Sequence, residues 1–419
     1  MTAGRPTRYR LFEVVGLELE YVVVDRELRP RCLLDEAFHR VAGRPTSYIE
    51  HGAVGFSNEL AAHVFEIKNI GPRRSLPRAE RDLVAGLRFF AVVLREQLDA
   101  RLLPTGMHPF MTPLDTELWQ RSGRGIYETY ARIFPIRQHG WLNIQASHIN
   151  LPFGSEEETI AMHNTAAALL PYLPALAASS PAFEGAIGPA MDNRLEFYQR
   201  NQRRIPTITG KVIPEYVSSY ADYKRVVFKP IYEALGELPG GETLRHEWVN
   251  SRGAIMRFGR RALEIKILDI QECIKADVAI AVFVRAILRI LVARLKAGKL
   301  QLPEHGMLVE DLNAVIREGS AASVRAEHLR QSSARRRGLT AARNVLNGLL
   351  ESVSGVVRDE ERPYLAIVED RIRRGSLAER ITRQVQRRAR RPGVSEGEAI
   401  RSVYEELAAC LESNRPWER

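Results

Sequence analysis

The sequence predicts an α+β protein, and three observations carry that prediction. Apolar runs with the two-residue alternation of strands occupy much of residues 12–70 and recur at 143–151 and 262–270. Helical spacing of apolar residues appears between these runs, at Leu83, Leu87, Phe90, Ala91 and Leu94. From about Pro303 onward the pattern is helical and arginine-rich.

The elements follow in order. Residues 12–70 read as strands and loops, and Pro77 to Leu103 reads as a helix. Residues 104–125 carry Pro, Gly and Thr punctuation. Trp141 to Leu151 is strand-like. Ser155 with Glu158 three residues on is a capping box opening a helix toward Leu170, and Glu156, Glu157 and Glu158 suit its first turn. Residues 184–250 read as loop-rich, Ala262 to Ile270 as a strand, and 277–296 as an amphipathic helix whose Arg285 and Arg289 share a face, not as a membrane span.

The bulk composition narrows the class. Of 419 residues, 45% are hydrophobic and 27% charged, enough apolar material for a substantial core. The net charge of +10 favours anionic partners without choosing among nucleotides, carboxylates, nucleic acid or a membrane surface. Cys32, Cys273 and Cys410 are far apart, so neither a disulfide framework nor a thiolate metal site is indicated, and a cytoplasmic location is expected. No apolar signal core follows the basic N-terminus. The clusters Arg335–Arg337 and Arg387–Arg391 read as solvated helix faces; a nucleic-acid-binding protein is the competing interpretation, but no known module supports it.

Chemistry concentrates in four segments that place acids or histidine inside apolar strand-like runs. The first holds Glu18 and Glu20, which alternation sends to one face while Leu17, Leu19 and Tyr21 take the other. On its own a Glu-x-Glu reads more readily as an ordinary strand with a solvated face, and it is the repetition of the pattern that points to a ligand set. The second segment runs from Glu59 to Glu66, the third contains His148 and Asn150, and the fourth pairs Glu264 with Lys266. Several Glu and one His on separate strands suit Mg²⁺ or Mn²⁺ better than Zn²⁺, and a lysine beside such acids can neutralise phosphate oxygens. Arg252 and Arg257, just before the fourth segment, are candidates to clamp a carboxylate or phosphate. Ser179 and Ser180 lack the surroundings of a nucleophile and read as helix-terminating residues.

Taken together, these segments resemble a known family. GLELEYVVVD at 16–25 is similar to the G-x-E-x-E strand of the bacterial type 2 glutamate–cysteine ligases, or carboxylate–amine ligases. ELAAHVFEIKN at 59–69 resembles that family's second acidic strand, and GMHPF at 106–110 its Gly-x-His-Pro-Phe turn. NTAAALLPYLPALAASSPAFEG at 164–185 resembles its long helix with the Ser-Ser-Pro ending, ALEIKILDIQEC at 262–273 its closing Glu-x-Arg-x-x-Asp strand, and AARNVLNGLLESV at 341–353 its C-terminal helix. The resemblance implies a glutamine-synthetase-like domain, a curved, mostly antiparallel sheet with flanking helices, over residues 11–300. A tail at 1–10 and a helical region at 301–419 packed on that domain complete the expected organisation.

It also implies an ATP-dependent ligase that joins a small carboxylate, typically the γ-carboxylate of glutamate, to cysteine or another amine through an acyl phosphate, and that could act as a homo-oligomer. By the same resemblance Glu20, Glu59 and Glu66 would hold a metal near the substrate, and Glu18, His148 and Glu264 a metal between the ATP phosphates. Lys266 would steady the transferring phosphoryl group. From the residues themselves, Arg257 is a further candidate to act on that group, Arg252 and Asn150 are candidates to contact substrate or ATP, and His108 either shapes the pocket or stabilises its turn. Two positions depart from the family: Asn150 stands where a second histidine is usual, and Lys266 stands where arginine is usual, which removes a bidentate fork.

Overall fold

Strand β1 (Gly16–Val24) is the hub of the molecule. In this computed structural model, which describes residues 9–329 and 338–419, β1 pairs on one side with β4 (Val64–Asn69) and on the other with β6 (Ala146–Pro152). The sheet extends outward through β3 (Val54–Asn58) to β2 (Tyr48–His51), and through β10 (Ala262–Asp269) to β9 (Ala254–Arg257). Strand β5 (Arg101–Leu103) pairs with the far end of β1. A separate hairpin joins β7 (Ala182–Phe183) and β8 (Ala186–Ile187). Every pairing in the large sheet is antiparallel among the described residues.

The two faces of β1 have different neighbours. Leu17, Leu19, Tyr21 and Val23 enter the main core with the helices Leu76–Leu98 and Ile274–Lys296. On the opposite face Glu18 and Glu20 occupy the first half of the strand, while Val22 and Val24 pack in a second core with Leu377, Ile381, Val403 and Leu407 of two C-terminal helices. One strand therefore carries polar side chains at one end and a helix-covered apolar surface at the other.

Register sets the cross-strand neighbours. Glu20 stands opposite Glu66, Glu18 opposite both Lys68 and His148, and Gly16 opposite Asn150. Between β6 and β10 the register slips: Ile265 faces Ile149, but Leu268 faces Ser147. Three steps on β10 thus match two on β6, a bulge of one residue. It returns Asp269, opposite Ala146, to the face that carries Glu264 and His148.

Several expectations need correction. Leu34–Ala42 is a helix inside the stretch expected to be strands and loops. The helix expected over 77–103 spans Leu76–Leu98 and stops where Asp99 turns left-handed (φ 47°), so that Arg101–Leu103 joins the sheet instead. Trp141 belongs to a helical turn, and the strand begins only at Ala146. The stretch 184–250 contains helices, including Asn193–Asn201 and Lys229–Gly236; apolar spacing there is sparse, and contacts with other elements supply the stability. The helix Ile274–Lys296 is buried almost all round through Leu288 rather than amphipathic, with Arg285 buried against Glu361. The capping box at Ser155 is present, as are two more at Ser376 and Ser395. Residues 1–8 of the expected tail and Arg335–Arg337 lie outside the described residues. Arg388 pairs with Glu406, while Arg387, Arg390 and Arg391 stay exposed.

Candidate active site

The carboxylates of β1 open into a cavity of about 420 Å³ on the sheet face away from the main core. Alternation on four neighbouring strands brings in Glu18, Glu20, Glu66, His148, Glu264 and Lys266, and the loop before β4 adds Glu59. Arg257 reaches in from the end of β9. Eight of the eleven residues singled out in the sequence therefore line one cavity.

Two groups of side chains can each offer three ligand atoms lying within 4.8 Å of one another: Glu20, Glu59 and Glu66, and Glu18, Glu66 and His148. Glu66 belongs to both. Glu264, expected to complete the second group, instead accepts a 2.5 Å hydrogen bond from Arg257 and has Lys266 Nζ at 3.7 Å. The first group is the one the resemblance implied; in the second, Glu66 takes the place of Glu264.

The electrostatics differ sharply between neighbours. Burial disfavours a charge on Glu18, but Arg260, His148 and Lys68 outweigh it and hold this carboxyl down at about 2. Arg260 Nη1 donates to Glu18 Oε1 at 2.8 Å and Asn150 Nδ2 to the same oxygen at 3.0 Å. Burial, then the Glu66 carboxylate, push Glu20 up to about 8, although the Ala146 backbone N–H donates to it at 2.8 Å. Burial together with Glu20 and Glu66 holds Glu59 well above the usual range. Glu66 is raised by burial and by Glu18, against donors from Lys68 Nζ and Ser57 Oγ, both at 2.5 Å. Burial lowers His148 to about 4, which leaves the neutral imidazole that ligates metals. Three crowded carboxylates, of which only Glu66 has a cation in direct contact, stand beside a neutral imidazole and fit hard divalent cations.

Three expected contacts are not made at this cavity. Arg252 is buried, with Nε and Nη2 donating to both oxygens of Glu215 at 2.6 and 2.8 Å and Nη1 to the Thr207 carbonyl at 3.0 Å, so its fork is already filled. His108 is fully buried; Nε2 contacts the Leu28 carbonyl at 2.6 Å, and Nδ1 accepts from the Phe110 and Met111 backbone. It stabilises the turn rather than facing a ligand. Asn150 lies beyond Glu18 in an adjoining cavity of about 500 Å³, whose lining shares Glu18, Lys68 and Arg260 with the first. Ser179 and Ser180 follow a short helix and are buried against Asp269.

Sequence reasoning missed Lys68, Arg194, Arg260 and an aromatic wall that includes Tyr127, Tyr130, Trp141 and Trp248. Lys68 had a visible signal: Glu66-Ile67-Lys68 repeats Glu264-Ile265-Lys266, with both charges on one strand face. Arg260 sits in the turn between β9 and β10, two residues before a singled-out strand. Arg194 lies in a segment without legible periodicity, and only the fold brings it to the cavity.

Comparison with known proteins agrees with this arrangement. The model of glutamate–cysteine ligase family 2 matches residues 14–406. An uncharacterised protein of Archaeoglobus fulgidus is 39% identical over 401 residues, spanning 96% of this chain and 99% of its own length. A putative glutamate–cysteine ligase 2 of Corynebacterium jeikeium is 28% identical over 189 residues, 44% of this chain and 45% of its own. Among solved structures, the glutamate–cysteine ligase of Francisella tularensis in complex with AMP superposes with a TM-score of 0.59 at 12% identity, over 99% of this chain and 91% of that one. The ligase PafA, solved with the ubiquitin-like protein Pup, gives 0.52 at 12% identity, over 96% and 72%. These neighbours share the glutamine-synthetase-like fold with this chain. The chain belongs to glutamate–cysteine ligase family 2, a membership that supports carboxylate–amine ligase activity.

Proposed function

We propose that the protein is an ATP-dependent ligase that forms an amide from a small carboxylate, such as the γ-carboxylate of glutamate, and an amine. The observation that carries this reading is the pair of three-ligand groups meeting at Glu66, with Arg257, Arg260 and Lys266 alongside. Five carboxylates and five cationic side chains line the cavity, so bound divalent cations would give it the surplus positive charge that a triphosphate needs. Glu20, Glu59 and Glu66 would hold one Mg²⁺; Glu18, His148 and the shared Glu66 would hold a second. Such ions neutralise phosphate oxygens during transfer.

The chemistry is an attack of the substrate carboxylate on the γ-phosphorus, which breaks the bond to ADP and forms an acyl phosphate. The amine then attacks the acyl carbon, phosphate leaves, and the amine loses a proton. Lys266 and Arg257 lie where they can steady the transferring group, and Arg260 can reach from Glu18 toward it. The acyl phosphate would have to be kept from water, which would hydrolyse it. In this reading residues 11–300 form the catalytic domain and 301–419 pack on it.

The test is ADP release with Mg²⁺ across a panel of carboxylates and amines, including cysteine, ammonium, amino acids and, because PafA is a ligase of a protein, a protein amine. Release that depends on both substrates supports the reading; no release with glutamate and any amine refutes it. A second reading, a relative that binds ATP and metal without turnover, draws on Asn150 in place of histidine and on Glu264 being engaged by Arg257. Tight ATP binding with no ADP release would favour it.

A further inference from the structure

The charged and the aromatic linings of the cavity come from different elements. Strands supply Glu18, Glu20, Glu66, His148, Glu264 and Lys266. The helix Arg124–Ile133 and the short turns His139–Leu142 and Glu247–Val249 supply Tyr127, Tyr130, Trp141 and Trp248. No charged residue of these three elements reaches the lining.

The rings are braced against one another. Tyr130 packs on Trp141 with centroids 5.2 Å apart and on Trp248 at 6.3 Å; Trp141 packs on the buried Phe134 at 5.4 Å, and Trp248 stacks on His246 at 5.4 Å. Trp141 Nε1 donates to the Asn201 carbonyl at 3.0 Å, so its polar atom is already spent. Burial raises the phenols of Tyr127 and Tyr130 above their ordinary value, which keeps both neutral. A wall of this kind gives a charge no partner and suits uncharged carbon, flat rings above all.

The wall also stands beside the proposed reacting centre. Apart from burial, the acids acting on Tyr127 are Glu59 and Glu66. At the other end Glu247, one residue before Trp248, accepts from Arg257 Nε at 3.4 Å. The charged reactants have their own partners: Arg257, Arg260, Lys266 and the cation sites serve the triphosphate and the reacting carboxylate, and Arg194 is tied to Asp269 and to the Ile267 carbonyl. The amine is the reactant left for the rings.

We infer that the amine joined here carries an uncharged aromatic or branched apolar group, and that Tyr127, Tyr130, Trp141 and Trp248 bind that group. The inference rests on the ligase reading and narrows its amine, favouring aryl-alkyl amines over ammonium and cysteine.

Matched amines test this on the unaltered protein. Benzylamine and methylamine, and 2-phenylethylamine and ethylamine, differ in the aromatic group alone. With ATP, Mg²⁺ and the carboxylate that best supports ADP release, KM should be about 10- to 100-fold lower for the aryl member of each pair, and lower than for cysteine. Trp248→Ala should remove most of that preference and leave KM for ATP unmoved. Binding is read separately, because two of the four tryptophans line the cavity. With Mg²⁺ and a non-hydrolysable ATP analogue, aryl amines should quench the protein's fluorescence at lower concentration than their alkyl partners. Equal KM within both pairs overturns the inference, as does a lower KM for cysteine or for 1,4-diaminobutane, which would make the wall a cation–π site. A Trp248→Ala protein whose KM rises for ATP instead also overturns it. If Trp248→Ala does not fold, the matched amines on the parent protein still decide. Aryl-selective quenching with no ADP release under any condition would leave this site standing and remove the ligase reading; no release and no selective quenching would remove both.

Discussion

Replacing Glu20 with glutamine should stabilise the metal-free protein. Burial and the facing Glu66 raise the Glu20 carboxyl from its usual value near 4.5 to about 8. An acid raised on folding weakens the fold wherever it is ionised in the unfolded chain. The loss begins near pH 4.5, grows by about 1.4 kcal/mol per pH unit, and levels off above pH 8 at about 5 kcal/mol. Glutamine avoids that ionisation and can still accept from the Ala146 N–H. In EDTA at pH 8, Glu20→Gln should therefore melt above the parent by about 5 °C, since a chain this long shifts by roughly 1 °C per kcal/mol. The gap should shrink as the pH falls toward 5. Mg²⁺ should raise the melting temperature of the parent more than that of the variant, because the cation offsets the repulsion at Glu20 while the Glu18–Glu66–His148 group is intact in both. Calorimetric melts at two pH values, with and without Mg²⁺, read all of this. A variant that melts at or below the parent at pH 8 in EDTA would show that the carboxylates are not in conflict, and the case for cation sites would fall with it.

Three further outcomes follow from other contacts. Lys266→Met should cut ADP release by at least about 100-fold, whereas Lys266→Arg, which retains a cation at the same place, should keep the rate within about 10-fold; steady-state kinetics separate the two. Glu361→Ala should destabilise by about 3–5 kcal/mol in urea titrations, because Arg285 would be left charged and buried, while the paired Arg285→Met, Glu361→Leu replacement should recover most of the loss. Gly106→Ala should cost about 1–3 kcal/mol in the same titrations, since the added methyl meets Asp269.

The sheet was legible where alternation was clear. Glu18 and Glu20, Glu66, His148 and Glu264 could each be assigned to a strand face from local pattern, and they do share a cavity. Alternation fixes a face but not a distance, so it could not show that Glu66 rather than Glu264 stands with Glu18 and His148. Arg252 illustrates a second limit: its type and position suit a ligand clamp, yet Glu215, thirty-seven residues earlier in the chain, fills its fork. Contacts between distant segments leave no trace in local periodicity. The helices of 184–250 were illegible for the same reason, because short helices take their stability from the surfaces they touch. His108 shows the converse, a motif residue whose work is to tie a turn to the Leu28 carbonyl.

The extra residue of β10 sets a reading frame for the whole strand. Ahead of it, even-numbered positions face the ligands; after it, odd-numbered ones do, which is how Glu264, Lys266 and Asp269 come to serve the same side. Removing one residue from this stretch would straighten the ladder, swing Asp269 into the oily layer beneath the sheet and set Arg194 adrift, though every charged group named above would still be in the chain. A length change of one here is therefore a graver alteration than most single replacements.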